Sequence, residues 1–99
     1  MLQKKHYFEN APEKLKQDVW RKGTIIPGYS KDVWRRDICG HTMKYSDFGE
    51  VDSEHGWEID HIIPASKGGS DDLSNLQPLY WKNNRRKGDS YPWACENAA

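Results

Sequence analysis

The chain has 99 residues, 15 basic and 15 acidic side chains, a hydrophobic fraction of 35% and a mean hydropathy of −1.03. That length makes one domain with much of its surface in water, and an aromatic content of 12%, with five Trp and five Tyr, argues against disorder. No apolar run approaches the ~20 residues that cross a bilayer, and "MLQKKHYFEN" lacks the apolar stretch of a secretory signal, so a cytoplasmic location and no membrane partner are expected.

Asn10 with Glu13 fits a capping box, and Pro12 is tolerated in a first turn. A helix over about 11–22 follows, with Leu15, Val19 and Trp20 facing inward and Gly23 stopping it. "TIIPGYS" reads as a short extended piece closed by a Pro-Gly turn. Residues 31–38 fit no single element, with Val33, Trp34 and Ile38 as buried candidates. "CGHTM" reads as a turn into a short strand, "SDFGEVDSEHG" as a polar loop and "WEIDHII" as a strand ended by Pro64. "ASKGGSDD" is a glycine-rich connection, and "LSNLQPL" is extended and broken by Pro78. "YWKNNRRKG" has helical character with Gly88 as its stop, and the tail packs through Tyr91 and Trp93 before fraying.

The neutral sum conceals a pattern. Residues 1–49 hold 10 basic and 6 acidic side chains, residues 50–81 one Lys against seven acids, and residues 82–99 four basic against two acidic. An acidic centre between basic arms suits a cation site beside a polyanion, although an ordinary solvated surface accounts for the same counts.

Residues 57–89 discriminate further. There the pair Asp60-His61 in "DHIIP" is followed by Asn75 in "LSNLQPL" and Asn84 in "NNRRKG". In residue type, order, spacing, Gly-Gly loop and closing Lys-Gly, this third of the chain resembles the HNH endonuclease family. The resemblance implies a small α+β single domain over 1–99. Its parts are an N-terminal helix and extended segment in 1–30, a ββα-metal core over 57–89 (a short antiparallel hairpin packed on a helix) and a tail over 90–99. The implied activity is metal-dependent hydrolysis of DNA phosphodiester bonds, in double-stranded DNA first, leaving 5′-phosphate and 3′-hydroxyl ends.

The residue types make chemical sense of this. Slow attack of water on a charged phosphodiester needs a base for the water and positive charge near the leaving oxygen. His61 is the natural base, with an imidazole that ordinarily titrates near neutrality. Asp60 and the Asn84 amide offer two hard oxygen ligands, which leaves room for water and phosphate and favours Mg²⁺ or Mn²⁺ over Zn²⁺. The resemblance gives Asn75 the task of bonding backbone groups of the long loop and so aiming His61. An amide suits that task because it donates and accepts together.

Strict strand alternation sets Asp60 and His61 on opposite faces, so the strand is expected to bend, bulge or end there. The alternative is that Glu58 and Asp60 share a face as paired ligands and His61 lies in the core. Lys87, on the helical face of Asn84, is the first candidate for a phosphate contact, then Arg85, with Arg86 open between contact and solvated surface. Arg35 and Arg36 are carried over from the resemblance as further nucleic-acid-binding candidates. Many family members bind a structural zinc through two CxxC pairs; here only Cys39 matches, with Tyr80 and Asn83 in place of the second pair, so no four-Cys zinc is expected. Trp57, Tyr80, Trp81 and Trp93 are expected to fill that volume, Cys39 and Cys95 to be buried free thiols, and His6, His41 and His55 to lie at the surface. A non-catalytic nucleic-acid-binding module on the same scaffold is the competing reading, although pure binding needs neither base nor cation.

Overall fold

The computed structural model describes residues 7–95. In chain order these form α1 (Glu13–Trp20), β1 (Thr24–Ile25), β2 (Trp34–Arg36), β3 (Thr42–Lys44), β4 (Trp57–His61), β5 (Leu76–Tyr80) and α2 (Trp81–Lys87). β1, β2 and β3 make one antiparallel sheet, in that order, and β4 pairs with β5 in a second. Over the described residues the architecture is α+β, with two α-helices and two small antiparallel sheets.

α1 is shorter than its sequence pattern predicts. Pro12, with extended backbone, occupies the N-cap, and no side chain caps the helix, so the Asn10–Glu13 box does not form. The Glu13 carboxylate instead accepts a hydrogen bond from the Tyr45 hydroxyl, which holds its pKa below the ordinary carboxylate value. Val19 and Trp20 are buried and Leu15 packs beside them, as the helical period requires. Residues 34–36 of the undecided stretch become β2. Its neighbours Val33 and Ile38 are exposed, and the inward positions go to Arg35 and Asp37.

The core lies between α1, the first sheet and the hairpin: Phe8, Val19, Trp20, Met43, Trp57, Ile59 and Leu76. Trp57 is fully buried, with its ring 5.1 Å from that of Trp20 and its indole N–H donating to the Tyr45 carbonyl (3.0 Å). Pro78 does not break β5. It pairs with Ile59 in an unbroken register from Trp57↔Tyr80 to His61↔Leu76, which an outer strand tolerates because one of its edges needs no N–H. Tyr80 is buried, and that burial raises its phenol pKa.

The expectation of free thiols is overturned: Cys39 and Cys95 form a disulfide. The 56-residue separation conceals a Cα–Cα distance of 5.5 Å, well within bridging range. A bridge of this kind persists where the surroundings are oxidising, so the pair lends no support to the expected cytoplasmic location. No helix among the described residues is long and apolar enough to cross a membrane. Beside the disulfide, His41 stacks on Tyr80 with centroids 3.5 Å apart, and His55 meets Trp34 edge-on at 5.2 Å. Both histidines are therefore half-buried packing groups, against the surface positions expected; His6 lies outside the described residues. Of the aromatics expected around Cys39, Tyr80 lines this region, whereas Trp57 serves the main core and Trp81 bonds the Ser53 carbonyl (2.8 Å). Tyr91 is exposed and Trp93 half-buried, and the fraying expected of the tail falls on residues outside those described.

Candidate functional site

β4 keeps the strict alternation of a strand. Trp57 and Ile59 face the core beside α1, and the His61 ring meets Tyr7 and Phe8, with centroids 4.9 and 5.0 Å away. Glu58 and Asp60 instead meet side chains of α2. No bulge brings residues 60 and 61 together; the register is continuous and the strand ends at His61. Of the two arrangements open in the sequence, Glu58 and Asp60 do share a face.

The face toward α2 is polar and nearly dry. Asp60 is 1% exposed; its carboxylate accepts from the Gln77 amide (2.9 Å) and pairs with the Lys87 ammonium (3.3 Å). Lys87, 2% exposed, also donates to the His61 carbonyl (2.8 Å). Glu58 accepts from the Asn84 amide N–H (2.8 Å) and pairs with Arg85 (2.9 Å). Asn84 is fully buried, and its Oδ1 has no hydrogen-bond partner among the described residues. An orphaned buried amide oxygen is uncommon in a native fold, since it forfeits about 1–3 kcal/mol of solvation without return. The expected ligands Asp60 and Asn84 thus project toward the same strand–helix interface, each through a different polar partner. Among the described residues, no group of three or more His, Cys, Asp or Glu side chains could hold a metal ion.

The loop over residues 62–75 supplies the other half of the site. Asn75 is buried; its Oδ1 accepts from the Ile63 N–H (2.9 Å), and its Nδ2 donates to the carbonyls of Ile63 (3.1 Å) and Ser70 (2.8 Å). One amide therefore ties both ends of the loop together, and only a group that donates and accepts can do so. Gly69 has to be glycine: a Cβ there would lie 1.6 Å from the Ile63 carbonyl oxygen and 2.9 Å from Asn75 Nδ2.

The loop also carries Asp71. Its Oδ1 lies 2.6 Å from His61 Nε2, and the Tyr7 hydroxyl donates to both carboxylate oxygens (3.1 and 2.9 Å). The hydrogen bond from His61, then that from Tyr7, holds the Asp71 pKa below its ordinary value, and the same contact raises that of Tyr7. His61 is 6% exposed, and its Nδ1 makes no hydrogen bond to a described residue.

The basic candidates divide by burial. Lys87 is turned inward to Asp60, against the phosphate contact expected of it, and Arg85 is engaged by Glu58. Arg35 is likewise buried, donating to the carbonyls of Lys31, Arg21 and Gly23, each at 3.0 Å, so it braces the turn after α1. Buried carboxylates and carbonyls claim these cations because an unpaired polar group in the interior is expensive. Arg36 and Arg86 remain exposed, and Arg86 donates to the Asn83 amide oxygen (2.9 Å).

Sequence reasoning missed two acids. Asp37 is 3% exposed and accepts from the backbone of Cys39, His41 and Tyr80 and from the Asn83 amide, at 2.9–3.0 Å. It thereby joins the turn before β3 to the start of α2. Asp71 is the other, and an acid in a polar loop gives no periodic signal; only its adjacency to the Gly-Gly pair could have drawn notice.

A family model described as HNH endonuclease matches residues 37–90. No curated protein and no solved structure matches the chain significantly.

Proposed function

Because the chain belongs to the HNH endonuclease family, we propose that it is a metal-dependent endonuclease acting on DNA, double-stranded DNA first. The family match carries nuclease activity at the level of the family; the finer reading rests on the polar interface between β4 and α2. Two buried carboxylates, a buried lysine and an amide oxygen without a described partner form a costly arrangement for a domain this small. A merely structural interface would be more stable if it were apolar.

The residues fit a hard divalent cation in kind. Asp60 and the Asn84 Oδ1 are its proposed ligands, oxygen donors that favour Mg²⁺ or Mn²⁺. Lys87 keeps the Asp60 charge compensated when no cation is bound. A bound divalent cation supplies charge stabilisation at the phosphoryl and leaving oxygens. His61 accepts the proton of the attacking water at Nδ1, the water oxygen bonds to phosphorus, and the bond to the 3′ oxygen breaks, with the departing alkoxide taking a proton from solvent to become the 3′-hydroxyl. Asn75 holds the loop that flanks the base. Of the basic candidates drawn from the sequence, Arg36 and Arg86 are exposed, and they are the proposed contacts to the phosphate backbone.

A plasmid-cleavage assay with Mg²⁺ or Mn²⁺, with and without EDTA, tests this reading. Metal-dependent cleavage abolished by His61→Ala, with DNA binding retained, is the expected result. Undiminished cleavage by a highly purified His61→Ala protein would reject the base assignment. One observation favours the second reading, a non-catalytic DNA-binding module: the His61 ring and the Asp60 carboxylate lie on opposite faces of β4. DNA binding that is indifferent to EDTA, with no cleavage, would establish that reading instead.

A further inference from the structure

His61 is held by more than its strand. Its ring packs against the touching pair Tyr7, whose plane is inclined by 77°, and Phe8, inclined by 45°, while Nε2 meets Asp71 at 2.6 Å. Asp71 is fixed in turn from two directions. The Tyr7 hydroxyl donates to both of its oxygens, and the preceding residue, Ser70, gives its carbonyl to the Asn75 amide and its hydroxyl to the Asp72 N–H (3.2 Å). An unbroken set of contacts therefore runs from Asn75 through Ser70 and Asp71 to the imidazole.

We propose that Asp71 is a positioning residue for the His61 base, acting through Nε2 with Tyr7 as its support. This deepens the nuclease reading and rests on it. An ionised carboxylate only accepts hydrogen bonds, so the nitrogen facing it must carry the proton. A neutral imidazole has one protonated nitrogen, which leaves Nδ1 with the free lone pair that a water-activating base requires. The carboxylate then stabilises the imidazolium formed when Nδ1 takes the proton. The same logic operates in the Ser-His-Asp hydrolases, where an acid selects the histidine tautomer without being protonated itself. It also assigns Asn75 a place in the chemistry: its grip on Ser70 sets where Asp71 stands, and Asp71 sets where Nδ1 points.

Asp71→Asn is the decisive substitution because an amide can donate where the carboxylate could not. Facing Nε2 with an N–H, it favours the tautomer protonated at Nδ1 and blocks the base. Two readouts on the full chain separate this role from a structural one. Long-range ¹H–¹⁵N spectra of the metal-free protein, at about pH 8 where an ordinary imidazole is neutral, should place the ring proton on Nε2 in wild type. It should move to Nδ1 in Asp71→Asn and divide between the two in Asp71→Ala. In cleavage, Asp71→Asn should lower kcat by roughly 10- to 100-fold, less than in a buried triad because this carboxylate is exposed. KM for DNA should stay within about threefold, since remote phosphate contacts are untouched. Asp71→Ala should fall between Asp71→Asn and wild type.

Unchanged ring spectra in both variants, or a wild-type proton on Nδ1, would overturn the proposal. So would faster cleavage by Asp71→Ala, which would mean that the carboxylate masks the ring. A wild-type chain that shows the Nε2 proton but no metal-dependent cleavage would overturn the nuclease reading and the catalytic role with it, while leaving the contact intact.

Discussion

Replacing Lys87 by Met would remove one charge from the dry interface between β4 and α2 and leave the other behind. Lys87 and Asp60 are 2% and 1% exposed, with the ammonium 3.3 Å from the carboxylate and 2.8 Å from the His61 carbonyl. Deleting one partner of a buried pair typically costs about 3–5 kcal/mol, because the surviving charge loses this compensation while it stays out of water. A chain of this length has a total stability of about 5–15 kcal/mol, so Lys87→Met should forfeit a fifth or more of it. At this size each kcal/mol moves Tm by about 4–8 °C, and the transition should fall by more than ten degrees. Urea unfolding followed by tryptophan fluorescence measures the loss. The double variant Asp60→Asn/Lys87→Met removes both charges and should recover most of the stability. A single variant within about 1 kcal/mol of wild type, or a double variant as unstable as the single one, would refute this account of the pair.

Gly69→Ala would drive a methyl into the Ile63 carbonyl oxygen, 1.6 Å away. The loop must then open at Asn75, with a loss of about 2–3 kcal/mol from its three hydrogen bonds and lower cleavage; wild-type stability in a denaturant titration would contradict the clash. Replacing both Cys39 and Cys95 by Ser should lower stability by about 2–4 kcal/mol, as expected for a cross-link closing a loop of this length. Equal urea midpoints for the oxidised chain and the Ser variant would deny the bridge a structural role. The lowered pKa of Asp71 makes its contacts stabilising above the ordinary carboxylate value of 3.8, and that contribution is lost as pH falls through the folded-state value. Unfolding midpoints between pH 7 and pH 3 should therefore fall less steeply for Asp71→Asn than for wild type; parallel curves would remove the link.

The elements of the hairpin and its helix were legible in the sequence because their signals are local. "WEIDH" alternates, Pro64 and Gly88 punctuate, and the spacing from His61 to Asn75 and Asn84 survives without any knowledge of the fold. The helical pattern over about 11–22 marks the right inward residues but overruns both ends of α1, since Pro12 leaves the backbone extended where the sequence suggests a capping box. The motif marks Asp60 and Asn84 as ligand candidates but does not show that Lys87 and Glu58 become their immediate partners, because those contacts join residues 26 or 27 positions apart.

What the chain by itself determined is the set of short-range choices: which segments extend, which coil into helix, and which family motif they carry. Only the tertiary structure decided the assignments that depend on a distant partner. Hydropathy sends Arg35 and Lys87 to the surface, but carbonyls and a carboxylate from other elements draw them inside. The same holds for Asp71 against His61 and for Cys39 with Cys95. A charge or thiol is buried or exposed according to what folding brings within a few ångströms of it, and no local window of sequence contains that partner.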